Sequence, residues 1–278
     1  MKKIIAAVDA LHFSASQIAA FRYFAQEQQA RLTIICLDNF SAEMVPMTSM
    51  YPECYAVNYA QITAEGRAAL EWQRTTNIRQ LKDVCSEAAV GLRIVETNGF
   101  PVQEIVKESR FADLLLLTAD ISFGDMPDSI PTRFVKETLA AAECPVMVLP
   151  ETVRPVREII FSYNGTFSSV YAIRTFTSLF PEYGSTPVKL LYVEEKNHYH
   201  IPEEEKIISY LSLHYDQVTT EKLTGEPATA FLAYLIRRND CIVTYGAYGR
   251  SATSRFFHRS DAENVLRTAN IPIFITHP

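Results

Sequence analysis

Residues 4–9 read Ile4-Ile5-Ala6-Ala7-Val8-Asp9, and residues 159–164 read Ile159-Ile160-Phe161-Ser162-Tyr163-Asn164. Each opens as a short, mainly apolar run and stops on an acid or an amide. That is the form of a buried parallel strand leading into a turn. Working outward, Glu143-Cys144-Pro145-Val146-Met147-Val148-Leu149 recurs as Asn270-Ile271-Pro272-Ile273-Phe274-Ile275-Thr276. Between these anchors Gly99-x-Pro101 recurs as Gly225-x-Pro227, and Ala112-Asp113 as Asn239-Asp240. The chain therefore reads as a tandem duplication of one α/β unit, with units at residues 1–150 and 151–278.

The rest of each unit fits the same order. In the first, a helical face at 14–29 (Ile18, Phe21, Phe24, Ala25) follows the opening strand, and 32–37 is a second strand. A helix over 61–89 holds the only tryptophan, Trp72, which is expected to pack that helix. Strands at 92–96, 114–118 and 146–149 alternate with helices at 101–109 and 133–142. In the second unit, strands at 158–163, 188–193, 216–223, 241–245 and 272–276 alternate with helices at 168–179, 203–214, 227–238 and 261–269. Such alternation predicts two Rossmann-like units, each a five-stranded parallel sheet with helices on both faces. The short linker 151–157 requires the units to pack closely.

Residues 39–60 break the pattern. Met44, Met47, Met50, Tyr51, Tyr55 and Tyr59 stand there with Pro46 and Pro52, so the segment reads as a long loop or lid. Its bland reading is a cover for the edge of its own unit or for the interface between the units.

Composition bounds the function. The chain has 278 residues, is 48% hydrophobic and 21% charged, and carries a formal charge of −6. That charge gives no broad basic footprint, which argues against duplex nucleic acid as the main partner. No apolar run is long enough to span a bilayer, and the apolar stretch after Lys2 and Lys3 is cut by Asp9, so neither membrane span nor leader is read. Five cysteines without a Cys-x-x-Cys pair suggest free thiols and a cytoplasmic location. Cys36, Cys144 and Cys241 lie in apolar runs, where packing is the default role.

In open parallel α/β sheets, ligands sit beyond the carboxyl ends of the strands. Three segments of the second unit end there: Ser162–Gly165, Val193-Glu194, and Tyr245-Gly246-Ala247-Tyr248-Gly249-Arg250. The last leads to Arg259-Ser260 at a helix start, and helix N-termini favour phosphate. Gly-x-x-Gly by itself more often marks a structural turn, and Ser260 with Glu263 reads equally as a capping box. No Gly-x-Ser-x-Gly elbow and no Walker lysine is present, so the chain is not read as an enzyme. His198, His200, Glu194 and Glu195 do not have a standard metal-ligand spacing and read as a solvated loop; His258 reads as an exposed loop residue.

Taken together, these residues resemble the universal stress protein family, in its tandem two-domain form. The resemblance runs over nearly the whole chain. It is carried by Ala7-Val8-Asp9, by Ser260-x-x-Glu263-x-Val265-Leu266 followed by Ile271-Pro272-Ile273, and by Gly246-x2-Gly249-x9-Arg259-Ser260. The family's nucleotide loop is Gly-x2-Gly-x9-Gly-(Ser/Thr). Here Arg259 replaces its third glycine, and Asn164 replaces the acid that closes the first strand.

The resemblance implies an adenine nucleotide alpha hydrolase-like fold and regulatory binding of ATP, with magnesium, or of AMP in the second unit. Asn164 would contact ribose or base, and Val193 would pack the adenine. Gly246 and Gly249 would form the phosphate turn, with Arg250, Arg259 and Ser260 on phosphate oxygens. The first unit keeps Asp9 but has Ala119, Ser122, Thr132 and Arg133 at the loop positions, with Asp120, Asp125 and Asp128 nearby, so no nucleotide is expected there. Single-domain members pair, so the tandem chain would be an internal pseudo-dimer that can still form a homodimer. The alternative is a nucleotide-free stress-response scaffold that meets a protein partner through residues 39–60.

Overall fold

A computed structural model describes residues 1–38, 64–86, 92–97, 99–123, 128–194, 200–246, 259–276 and 278. The Met- and Tyr-rich stretch 39–60 lies outside them. In chain order the strands are β1 (Lys3–Asp9), β2 (Arg31–Leu37), β3 (Leu92–Glu96), β4 (Leu114–Thr118), β5 (Val146–Leu149), β6 (Glu158–Ser162), β7 (Val188–Glu194), β8 (Val218–Thr224), β9 (Cys241–Tyr245) and β10 (Ile273–Ile275). The helices are α1 (Ala15–Glu27), α2 (Ala64–Ser86), α3 (Pro101–Ser109), α4 (Arg133–Ala141), α5 (Phe167–Leu179), α6 (Glu204–Ser212), α7 (Pro227–Leu235) and α8 (Arg259–Thr268). A 3-10 turn, Pro181–Tyr183, follows α5 and was not anticipated from the sequence.

The strands form one ten-stranded sheet in the order β3-β2-β1-β4-β5-β10-β9-β6-β7-β8. Within each half every pairing is parallel. Each half contributes the expected five parallel strands, and the two sets are joined at one place. β5 and β10 pair antiparallel, with Phe274 opposite Met147, and fuse the two sets. Both strands are wholly buried. A buried closing strand must satisfy its outer N–H and C=O groups, and the other half's closing strand does so. The antiparallel join also points the carboxyl ends of the two strand sets in opposite directions.

Alternation along the strands feeds two cores. Ile4, Ala6 and Val8 of β1 belong to the face covered by α1, α2, α5 and α6, while Ile5 and Ala7 face α3, α4, α7 and α8. Both cores run across the seam. Phe24 of α1 meets Phe180 edge-on at 6.0 Å, and Phe274 meets Phe176 at 5.3 Å and Phe180 at 6.0 Å. Gln28 donates to the Tyr183 hydroxyl at 2.9 Å, and Lys2 pairs with Glu182.

Most helices start where the sequence supplies a cap. Ser14, Thr132 and Thr166 each accept a main-chain N–H from three residues on, at 3.1, 3.3 and 3.4 Å. Pro101 and Pro227 open α3 and α7. Two expectations fail. Trp72 does not pack α2: it is 72% exposed, because that helix buries the face of Ile78 and Leu81. And α8 begins at Arg259, so Ser260 stands inside the first turn and not ahead of it as an N-cap.

Candidate functional site

The carboxyl ends of β6, β7 and β9 meet the first turn of α5. Asn164, Val193 and Gly246 are brought together there, with Ser162, Tyr163 and Phe231, around one small cleft. Gly249 and Arg250 lie outside the described residues, as does His258. Arg259 and Ser260 open α8, and only their backbone is described.

Each converging residue also has a local structural task. The Asn164 side-chain oxygen accepts the Thr166 N–H at 3.1 Å and the Thr166 hydroxyl at 2.6 Å, an Asx turn that carries the chain from β6 into α5. Gly165 stands at φ +76, and a side chain there would lie 2.5 Å from the Pro202 Cβ. The Tyr163 hydroxyl donates to the Pro202 carbonyl at 2.8 Å, so the segment before α6 clamps this turn. Gly246 shows why a glycine is needed apart from any phosphate. A Cβ there would sit 2.0 Å from the Ser168 carbonyl oxygen and 2.3 Å from its carbon. The first turn of α5 therefore rests on the main chain at the end of β9. A glycine at a strand end serves close helix–strand approach as well as a phosphate turn, and the sequence alone does not tell the two apart.

The cleft these residues enclose measures about 10 Å³, room for roughly one water. Its walls are mainly apolar: Val193 and Phe231, the latter tilted against the fully buried Tyr245 at 5.5 Å. The chemistry of the wall suits a base edge and an aromatic face.

The first half has the larger opening. Beyond the carboxyl ends of β1, β4 and β5 lies a cleft of about 1170 Å³, reached by Asp9, Gln17, Asn77, Thr118 and, from α8 of the other half, Arg267. Asp9 is 4% exposed; it accepts the Leu11 N–H at 2.8 Å and contacts His12 Nδ1 at 3.0 Å. Burial holds its carboxyl above the ordinary range, against the opposing pull of Leu11 and His12. Gln17 donates to Thr118 Oγ1 at 2.9 Å. From α2, Gln73 donates to the Leu11 carbonyl at 3.0 Å, and Asn77 to the carbonyls of Ala10 and Leu11 at 3.0 and 2.9 Å. Arg74 holds the buried Asp38 at 2.7 Å. The reading of the sequence singled out neither Gln17 nor Asn77. A glutamine on the apolar face beside Ile18 and Phe21 was the signal for the first.

Among the described residues, Cys144 and Cys241 behave as packing groups: burial pushes their thiols up to about 12. Among the described residues, no group of three or more His, Cys, Asp or Glu is placed to hold a metal ion, and no helix is long and apolar enough to cross a membrane.

No protein-family model matches the chain, and no curated protein matches it. Solved structures do. A universal stress protein from Archaeoglobus fulgidus DSM 4304 aligns with TM-score 0.69 at 12% identity, over 99% of this chain and 96% of its own. A candidate universal stress protein from Pseudomonas aeruginosa UCBPP-PA14 aligns with TM-score 0.56 at 12% identity, over 100% and 93%. A functionally unknown protein from Pseudomonas aeruginosa PAO1 aligns with TM-score 0.57, also at 12% identity, over 100% and 92%. The chain thus has the universal stress protein fold along its whole length.

Proposed function

We propose that this chain is a cytoplasmic stress-response protein of the universal stress type, acting by binding and not by catalysis, whose second half takes ATP, with magnesium, or AMP as a regulatory ligand. The observation that supports this reading is the convergence of Asn164, Val193 and Gly246 at one cleft beyond the carboxyl ends of β6, β7 and β9. That is where an open α/β sheet presents a nucleotide. Asn164 uses only its side-chain oxygen in the turn, so its NH2 group is available to a ribose hydroxyl or a base nitrogen. Val193 and Phe231 flank the base. The loop glycine Gly249 and the α8 start, with Arg250, Arg259 and Ser260, take the phosphates. Magnesium would enter with ATP and screen its phosphate charge; no protein ligand to it is assigned.

A second reading, a nucleotide-free scaffold that meets a protein partner, is favoured by the small size of the same cleft and by the structural tasks of Asn164 and Gly246. Calorimetric titration with ATP and magnesium, beside AMP, separates the two. One site per chain, lost in Gly249→Val, supports the nucleotide reading. No heat and no thermal stabilisation at millimolar ligand supports the scaffold.

A further inference from the structure

A second recess lies away from both strand-end clefts, where the amino ends of β4 and β5 meet helices of the other half. It measures about 990 Å³ and is bordered by Asp113, Glu143, Tyr171, Arg174, Tyr210 and His214. Tyr171, Arg174 and Ser178 lie three and four residues apart on α5, opposite the face that buries Ala172, Ile173, Phe176 and Thr177. Tyr210 and His214 are themselves ring neighbours at 4.8 Å.

The charges in this groove are not balanced by one another. Asp113 accepts the Lys3 N–H at 2.7 Å. Glu143 is held by the Arg110 guanidinium through two bonds of 2.7 Å each. Both carboxylates are thus engaged on the first-half wall. Arg174 on the opposite wall is exposed and has no ion-pair or hydrogen-bond partner among the described residues. A guanidinium with no partner among the described residues shares this groove with two half-buried tyrosines, and that combination matches a specific chemistry. A carboxylate can bind the planar fork in bidentate fashion, and an attached aromatic ring can lie against the tyrosines.

We propose that this groove is a binding site for a small aromatic carboxylate, with Arg174 holding the carboxylate and Tyr171 and Tyr210 holding the ring. Because it spans the join of the two halves, an occupant would touch both. It is independent of the nucleotide reading and involves none of that site's residues.

The test is titration of the full chain with 3-phenylpropanoate, followed by calorimetry and by chemical-shift changes at α5 and α6. Its two fragments are run alongside: 3-phenylpropanamide lacks the charge and propanoate lacks the ring. The expected result is saturable binding of the parent, at least tenfold weaker for either fragment and at least tenfold weaker in Arg174→Gln. Tyr210→Ala should weaken it as well. Arg174 is exposed, so Arg174→Gln should leave the melting temperature unchanged and report binding alone. No saturation at millimolar probe, equal binding in Arg174→Gln, or sedimentation showing that a second copy of the chain fills the groove would each overturn the proposal.

Discussion

Asp9 and Asn164 hold the same position of the same turn, at the carboxyl ends of β1 and β6, inner strands of the two halves of one sheet. The Asp9 carboxylate accepts the N–H of Leu11 at 2.8 Å, and the Asn164 side-chain oxygen accepts that of Thr166 at 3.1 Å. An acid and an amide can exchange in this turn because it uses only an accepting oxygen. The difference lies in charge. Asp9 is buried and ionises against that burial; Asn164 has nothing to ionise.

Asp9→Asn should therefore keep the turn and alter the pH dependence. A carboxyl whose pKa is raised on folding is bound more tightly by its proton in the folded state. Its cost is absent below the unfolded pKa and grows as pH rises through the folded one. Chemical denaturation from about pH 4 to pH 7 should show the natural chain losing stability over that window relative to Asp9→Asn. Parallel curves would mean that His12 compensates the carboxylate fully. Asn164→Ala removes the accepting oxygen altogether and should cost about 1 kcal/mol at any pH.

Gly246→Ala should destabilise the protein whether or not a nucleotide binds. Both atoms that its Cβ would meet first belong to the Ser168 main chain, so no side chain can swing away. Overpacking of this kind costs about 1–3 kcal/mol. A drop of that size in the free energy of urea unfolding without ligand is expected; an unchanged value would show that α5 slides freely. It follows that lost nucleotide binding in a Gly246 variant says little about phosphate, and Gly249 is the better probe.

The order of elements was legible because strand and helix periods differ so clearly here. Leu114–Thr118 is apolar up to its last residue and proved buried on both faces, while Ile18, Phe21 and Phe24 mark one helical face. The echo of Pro145-Val146 in Pro272-Ile273 identified the closing strand of each unit. It could not identify that strand's outer partner, because a strand buried on both faces carries no sign of which neighbour it pairs with. Asn164, Val193 and Gly246 were legible as strand-end residues. The packing task of Gly246 was not, since it depends on where α5 lands. Trp72 was misjudged because a large apolar side chain predicts burial only on average.

A hydroxyl organises the outer edge of the second half. Tyr234 Oη lies 3.1 Å from Lys189 Nζ, 2.6 Å from Arg238 and 2.9 Å from Glu221. Arg238 also pairs with Glu158, and its guanidinium carbon lies 4.3 Å from the Tyr234 ring centre. Burial works to raise the Glu221 carboxyl, but the bonds from Lys189 and Tyr234 carry it below its usual range. Stability from a carboxyl lowered in this way is present above its unfolded pKa and is lost as pH falls through the folded one. Tyr234→Phe should cost about 1 kcal/mol near neutrality and less in acid. A cost that does not change with pH would separate the hydroxyl from the charges.

The seam makes the strongest prediction about stability. Phe274 sits on β10, pairs across to β5, and touches Phe176 and Phe180; Phe180 in turn touches Phe24 of α1. One ring thus joins the cores of both halves, and the sheet is continuous through it. The whole chain should unfold in one transition, and Phe274→Ala should lower its unfolding free energy by about 3–5 kcal/mol while keeping it single. The reason is that neither β5 nor β10 keeps its outer hydrogen bonds once the other leaves. Two separated transitions in the natural chain, each confined to one half by hydrogen exchange, would show instead that each half can close its own sheet edge against water.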